Sequence, residues 1–203
     1  MEQLELDRLD RRRRAIIDAA LDLFIDQGYE RTTLSNIVER AGGSLATVYK
    51  LFGNKEGLLD AVVFDRTTSG ESLIREIASE NEPPAQTLRL IAAALHARFL
   101  DPREVALVRL VIARSIKDPA FARRFFETTA MRTREALERI LVQWAEGGVA
   151  MEGEPEILAE IFLSLIISDL QTEAISHGIA GQTSATRLAM RTDFFLRGAA
   201  LAG

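Results

Sequence analysis

The amino-acid sequence predicts an all-α protein of about nine helices. Apolar side chains recur every three or four residues through most of the 203-residue chain, which is the period of an amphipathic helix. Glycine, proline and small polar residues interrupt these stretches at positions typical of helix ends. No segment alternates apolar and polar residues in the manner of a half-buried strand.

The first four predicted helices cover approximately residues 14–25, 33–41, 44–51 and 54–80. Thr33, Ser44 and Asn54 stand where the second, third and fourth helices begin, and their side chains are favoured N-caps. Gly28 follows the first helix, and Gly42 opens a glycine pair after the second. We expect residues 1–54 to form a three-helix domain.

The remaining five predicted helices cover approximately residues 85–100, 101–116, 118–144, 155–176 and 184–201. Two prolines at positions 83 and 84 separate this group from the fourth helix. Asp101 and Asp118 are each followed by proline, which combines an N-cap with the residue favoured at the first helical position. We expect residues 55–203 to form a second domain, a helical bundle.

Composition and motifs argue against catalysis and against a cofactor or metal. The chain has no cysteine, so thiolate metal sites and disulfides are excluded. Its two histidines, His96 and His177, lack the paired spacing of a metal site. No phosphate-binding loop or nucleophile elbow is present. Since neither a signal peptide nor a membrane-spanning run is evident, we expect a soluble cytoplasmic protein.

The charge distribution permits nucleic-acid contact near the N-terminus. Residues 1–55 carry nine basic and nine acidic side chains, so the net charge of −5 arises from the rest of the chain. The densest basic cluster is Arg11–Arg14. These arginines fit either a solvated helix face or a basic arm that contacts DNA phosphates or the minor groove.

The second and third helices have the arrangement of a helix-turn-helix, because a tight glycine turn joins two short helices that follow a longer one. In such a motif the second helix of the pair enters the major groove with its N-terminal side chains on the base edges. The spacing alone fits equally well a pair of short helices without any DNA partner.

Residues 16–59 resemble the N-terminal domain of the TetR family of repressors. The matching residues are Phe24, Gly28, Tyr29, Thr32, Thr33, Ile37, Ala41, Gly42, Ser44, Thr47, Tyr49, Phe52, Lys55, Leu58 and Leu59. Gly43 departs from the family, which usually has an apolar residue there, so we expect a looser turn, at a cost of about 1 kcal/mol. Residues 105–175 resemble the AefR-like branch of the family.

Matching position and chemistry together predict eight DNA contacts. Thr33 and Lys55 stand at helix N-termini, where phosphates bind. The leading turn of the recognition helix supplies Ser44, Leu45, Ala46 and Thr47, and Tyr49 and Lys50 follow it towards the flanking backbone, with Lys50 long enough to reach a guanine. The family spacing predicts that Phe24, Ile37, Val48 and Phe52 lie in the core.

The C-terminal region predicts an apolar bundle with few interior polar groups, which suits a mostly apolar ligand. The candidate ligand contacts are His96, Phe99, Arg109, Phe126, Thr129, Thr133, Trp144, Phe162, Ile166 and Asp169. For each of them a plain core position is the alternative. Arg109 lies in a helix that is otherwise apolar over residues 105–113 and is therefore predicted to be buried. We interpret it either as a structural ion pair or as an anchor for an anionic or polar ligand group.

The last predicted helix is apolar on two sides, with Met190, Phe194 and Leu201 on one and Leu188, Phe195 and Ala199 on the other. We therefore expect homodimerisation through the last two helices. The resemblance implies a repressor that leaves a near-palindromic DNA operator when a small, hydrophobic effector binds inside the bundle. The alternatives are an activator, a regulator without a ligand, or a helical ligand-binding protein with a vestigial DNA motif.

Overall fold

A computed structural model describes residues 2–66, 69–176 and 184–202, and every regular element in these ranges is helical. The all-α prediction is therefore confirmed. The chain divides into two compact units, residues 1–66 and residues 67–203. This division differs from the predicted boundary at residue 54, because the helix that follows residue 54 packs against the first helix of the chain.

Unit 1 contains four helices: α1 (Glu2–Asp26), α2 (Leu34–Ala41), α3 (Leu45–Phe52) and α4 (Lys55–Arg66). Helix α1 packs on α2 and α4, and α3 packs on both of its neighbours in sequence. The core residues are Ile16, Ile17, Ala20, Leu21, Phe24, Ile37, Val48, Leu58, Leu59, Val62 and Val63. Phe24, Ile37 and Val48 are buried as predicted, whereas Phe52 is only half-buried.

Unit 2 contains α5 (Ser69–Ala78), α6 (Pro84–Phe99), α7 (Pro102–Lys117), α8 (Pro119–Phe125), a π-helical segment (Phe126–Ala130), α9 (Met131–Glu146), α10 (Pro155–Ser176) and α11 (Ala185–Gly198). The predicted fourth helix corresponds to α4 and α5, with residues 67 and 68 between them outside the described ranges. The predicted seventh helix corresponds to α8, the π segment and α9. His177 also lies outside the described residues.

The π segment widens one turn of what the sequence predicts as a regular helix. Thr128 donates to the carbonyl of Arg124 at 2.6 Å, and Thr133 to that of Thr129 at 3.1 Å. Such threonine bonds to the preceding turn compete with the regular backbone pattern, and π turns arise as local insertions of this kind. The wider turn changes the register of the helix face. Phe126, predicted as a ligand contact or a core position, is consequently 60% exposed.

The core of unit 2 lies between α5, α6, α9, α10 and α11. Helix α7 contributes less than its sequence predicts: Val105, Leu107 and Val111 are buried, but Ile112 is 36% exposed. The prediction that residues 105–113 are buried on most sides is thus wrong, because α7 packs mainly on its neighbour α8 and on α10. No helix among the described residues has the length and apolar character needed to cross a bilayer.

Asp118 caps α8 and gives unit 2 a pH-dependent contribution to stability. Its carboxylate accepts hydrogen bonds from the backbone N–H groups of Phe121 and Ala120, each at 3.0 Å. The bond from Phe121, followed by nearby Arg114, holds the pKa of Asp118 below its usual 3.8. A depressed pKa stabilises the fold above the unfolded-state value, and this contribution is lost as the pH falls through the folded-state value.

We expect wild type to be more stable than Asp118→Asn at neutral pH, because asparagine keeps a cap acceptor but lacks the charge. The difference should persist at every pH above the ordinary 3.8 and disappear only as the pH falls from there through the lower folded-state value, where the carboxylate protonates. Urea unfolding of both proteins across this range measures it. A difference that stays constant with pH would contradict the assignment.

Candidate nucleic-acid interface and effector site

Helix α3 presents most of the predicted DNA-contacting side chains to solvent. Val48 anchors the helix in the core, whereas Leu45 is 40% and Tyr49 is 54% exposed. Ala46 and Lys50 are exposed as well. Large apolar side chains that are exposed beside a cation on one short helix form a surface able to contact both bases and backbone.

The N-termini of α2 and α3 are built as the sequence predicts. Thr33 accepts a hydrogen bond from the Asn36 N–H at 3.1 Å, and the Asn36 side chain accepts from the Thr33 N–H at 3.0 Å, which completes a capping box. Ser44 accepts from the Thr47 N–H at 3.3 Å, and their hydroxyls lie 3.1 Å apart. Each cap satisfies one first-turn amide, so the preceding amides remain donors for an anion.

Lys55 is held in place by two contacts within unit 1. Its ammonium lies 4.3 Å from the centre of the Tyr29 ring and 3.3 Å from the Glu30 carbonyl oxygen. Burial lowers the pKa of Lys55, against the opposing effect of the Glu30 carboxylate. An ammonium has three donors, so it can still bind a phosphate while it rests on Tyr29. Tyr29 thus positions a predicted contact, although sequence reasoning assigned it no role.

Arg12 of α1 packs against the turn of the helix-turn-helix. Its Nη1 donates to the Ala41 carbonyl at 3.0 Å, and a Cβ added at Gly43 would lie 3.5 Å from its Cζ. Gly43 has φ +100 and Gly42 has φ +74, a conformation that L side chains rarely adopt. The guanidinium therefore covers the space beside Gly43, where the sequence predicted a loosened turn.

Replacing Arg12 with methionine should lower the stability of unit 1 by about 1–2 kcal/mol, because a half-buried carbonyl loses its donor and the turn loses its cover. Arg11→Met is the matched control, since Arg11 is exposed and bonds the Asp7 carbonyl within its own helix at 3.2 Å. Thermal and urea unfolding of both variants measure the difference. Equal losses of stability in the two variants would contradict a specific role for Arg12.

The arginine cluster lies within helix α1. Arg13 forms an ion pair with Asp65 at 3.6 Å and lies 5.9 Å from the Phe52 ring centre. Arg12 and Arg13 thus contact other helices of unit 1, whereas Arg11 and Arg14 are exposed to solvent.

In unit 2 the structure brings His96 and Asp169 together. His96 Nε2 on α6 lies 3.3 Å from Asp169 Oδ2 on α10, and both residues are buried. Arg191 of α11 donates from both terminal nitrogens to Asp169 Oδ1 at 2.9 Å. Sequence reasoning missed Arg191. The buried aspartate signals the need for a cation, but nothing in the pattern identifies which arginine supplies it.

Four predicted ligand contacts belong to the apolar core of unit 2. Phe162 and Ile166 are buried, and Phe99 and Trp144 are partly buried against the same cluster. Phe162 and Asp169 lie seven residues apart with Ile166 between them, so all three share one face of α10. The structure thus brings an aromatic and aliphatic surface to the helix face that carries Asp169.

The other predicted ligand contacts serve the protein's own backbone or lie at the surface. Arg109 is half-buried and donates to the carbonyls of Ala174 at 2.9 Å and Glu173 at 3.2 Å. These bonds cap the last turn of α10 and use two of the five guanidinium N–H donors, so Arg109 has a structural role through backbone carbonyls, and its role as a ligand anchor stays a prediction. Thr129 is buried and donates to the Phe125 carbonyl. Thr133 donates to the Thr129 carbonyl, and Phe126 is exposed.

Helices α10 and α11 pack on each other and expose apolar side chains. Ile157 is 51%, Ile161 46%, Met190 68% and Phe194 73% exposed. On the opposite side of α11, Leu188, Phe195 and Ala199 are buried as predicted, and the Phe195 ring meets that of Phe162 edge-on at 5.2 Å. Leu201 was placed with the outer side and is instead buried, because the helix ends at Gly198 and the chain turns inward.

No group of three or more histidine, aspartate or glutamate side chains is arranged to hold a metal ion within the described ranges.

Family comparisons cover both units. The family model for bacterial regulatory proteins of the tetR family matches residues 16–62. The model for the C-terminal domain of AefR-like transcriptional repressors matches residues 86–197, more than half of the chain. These matches confirm both resemblances predicted from the sequence.

Individual relatives extend over most of the chain. The HTH-type transcriptional regulator YvkB of Bacillus subtilis is 27% identical over 158 residues, which are 74% of this chain and 77% of YvkB. The HTH-type transcriptional regulator BetI of Cronobacter sakazakii is 31% identical over 152 residues, 68% of this chain and 74% of BetI. A solved structure of a Mesorhizobium loti protein, assigned to the TetR family of transcriptional regulators, superimposes with a TM-score of 0.83 at 26% identity and covers 95% of this chain and 98% of that one.

Proposed function

The chain belongs to the TetR family of DNA-binding transcriptional regulators, and from that premise we propose that it is a repressor that a small, hydrophobic effector releases from its operator. The observation that carries the proposal is the outward face of α3, with Leu45 and Tyr49 exposed although both are large. Exposed side chains of this size on a recognition helix are explained by a partner that covers them. The AefR-like match supports repression, because that family model is described as one of transcriptional repressors.

The operator contacts that we propose are Thr33, Ser44, Leu45, Ala46, Thr47, Tyr49, Lys50 and Lys55. Leu45 and Ala46 offer apolar contacts to thymine methyl groups, and Lys50 reaches a guanine or a phosphate. The first-turn amides of α2 and the ammonium of Lys55 bind the DNA backbone. Phosphate contacts of this kind make the affinity depend steeply on salt.

A homodimer through α10 and α11 places two recognition helices in successive major grooves, about 34–36 Å apart, on a near-palindromic site. The exposed apolar residues of these two helices support this interface, because monomeric proteins rarely expose such a set together. Domain 55–203, as first delimited from the sequence, then carries both dimerisation and effector binding, and the protein acts in the cytoplasm.

Effector binding inside unit 2 would favour a dimer whose recognition helices no longer match the groove spacing. A coupling free energy of about 1–3 kcal/mol changes operator affinity by about 5- to 150-fold. The buried polar group of His96, Asp169 and Arg191 supports an interior ligand site. Two of its atoms, His96 Nε2 and Asp169 Oδ2, have no hydrogen-bond partner among the described residues.

Selection of random duplex DNA by the purified protein tests the proposal. We expect a near-palindromic sequence, bound by a dimer with a steep dependence on salt concentration. That duplex then reports on small molecules that release the protein. Selection of no sequence by well-folded protein, with the result repeated after refolding to strip bound ligand, would contradict operator binding and favour a ligand-binding protein with a vestigial motif.

A further inference from the structure

Two buried polar atoms face each other in unit 2 without a hydrogen bond from any described residue. They are His96 Nε2 and Asp169 Oδ2, 3.3 Å apart. His96 is 9% and Asp169 6% exposed. Buried polar groups in folded proteins are almost always hydrogen-bonded, so a pair that is not calls for a partner molecule.

The charges around this pair of atoms select the kind of partner. Asp169 Oδ1 accepts from both terminal nitrogens of Arg191, and Arg191 also donates to the Leu165 carbonyl at 3.0 Å. The guanidinium and the carboxylate therefore balance each other. An anionic ligand would meet the open oxygen of a carboxylate, and an ammonium would add a second cation to one carboxylate.

A neutral hydroxyl group satisfies both atoms. It can donate to Asp169 Oδ2 and accept from His96 Nε2 when that nitrogen carries hydrogen. The remainder of such a molecule would lie along the face of α10 that carries Ile166 and Phe162, both buried and apolar. Phe99, one turn beyond His96 on α6, is partly buried against the same core.

We propose that the effector is a small apolar molecule with a neutral hydroxyl group, and that His96 and Asp169 bind that hydroxyl. This inference rests on the effector-binding part of the proposed function and names the chemical class of the ligand. It places the polar group of the ligand at His96 and Asp169 rather than at Arg109, which donates to two backbone carbonyls of α10.

Three matched probes test the class: 4-butylphenol, butylbenzene and 4-butylbenzoate, titrated calorimetrically into the full chain. We expect the phenol to bind at least about tenfold more tightly than either analogue, because a buried polar site rejects a molecule that leaves it unpaired. His96→Leu should abolish this preference, and His96→Gln, which keeps a donor, should restore part of it. Circular dichroism of each variant controls for folding.

The proposal is overturned if the three probes bind equally, if the benzoate binds most tightly, if none binds, or if the preference survives His96→Leu. Operator release is measured separately on the selected duplex. If the phenol binds preferentially but does not release the protein from the duplex, the hydroxyl site is supported and effector control is contradicted. If a compound releases the protein from the duplex equally well in wild type and in the His96 variants, effector control is supported and the hydroxyl site is contradicted.

Discussion

Replacing Tyr49 and Lys50 together with alanine is expected to weaken operator binding by at least about 100-fold without unfolding the protein. Tyr49 is 54% exposed and Lys50 is exposed, so neither side chain contributes much to the core. Exposed substitutions of this kind usually change stability by less than about 0.5 kcal/mol. A weaker affinity then reports interactions made directly with DNA.

The magnitude follows from how many interactions with DNA the two substitutions remove. A hydrogen bond or close apolar approach contributes about 1 kcal/mol, and more where one partner is charged. The proposed dimer presents both residues twice, so the four side chains together contribute about 4 kcal/mol, a factor of about 1000 in affinity. Removal of the Lys50 ammonium should also make the affinity less sensitive to salt. The slope of log affinity against log salt concentration should fall by about one for each subunit, the contribution of one phosphate contact.

The matched control is Phe126→Ala with Arg123→Ala, which removes an exposed aromatic ring and an exposed cation from unit 2. Fluorescence anisotropy with the selected duplex, at several salt concentrations, measures both double variants. We expect the control to bind as wild type does. Equal weakening in the two proteins, or unchanged binding by the α3 variant, would mean that the outer face of α3 does not read the operator.

Local signals explain why the helices were predicted well. Thr33, Ser44, Asp101, Asp118 and Ser184 each cap a helix with a side-chain oxygen within three residues of the bonded amide. An interaction of such short range depends only on neighbouring residues. The apolar period likewise identified Phe24, Ile37 and Val48, because a helix that covers a core needs one buried stripe.

Interactions between distant residues explain what the sequence did not reveal. Arg12 reaches Ala41 across 29 positions, and Arg191 reaches Asp169 across 22. Periodicity shows that a charged residue lies among apolar neighbours, but not which group it meets. For the same reason Arg109 was predicted to need a carboxylate or a ligand, whereas its partners are backbone carbonyls.

The π segment illustrates a second limit. Thr128 and Thr129 of the segment bond to the preceding turn. Directly after the segment, Thr133 of α9 lies so close to Gly70 of α5 that a Cβ at Gly70 would be 2.6 Å from Thr133 Oγ1. The helix that follows the widened turn is thus held at close range against α5, a condition set by tertiary packing. Residues whose orientation depends on this register, Phe126 above all, could not be placed from a regular helical period.

Phe194→Glu is expected to convert the proposed dimer to a monomer at micromolar concentration. Phe194 is 73% exposed on α11, beside Met190 on the same helix face. In a two-fold interface each substituted residue occurs twice, so two carboxylates would be buried without partners. Burying an unpaired charge in this way costs several kcal/mol, which exceeds what the remaining apolar interactions are expected to offset.

Ile116→Glu is the matched control, because Ile116 is 78% exposed on α7 rather than on the last two helices. Sedimentation velocity should show a monomer for Phe194→Glu and a dimer for Ile116→Glu. The monomer should also bind the operator at least about 100-fold more weakly, since the second half-site no longer benefits from a tethered recognition helix. If the dimer persists in Phe194→Glu and dissociates in Ile116→Glu, the interface lies on α7. If both variants remain dimers, neither face forms the interface.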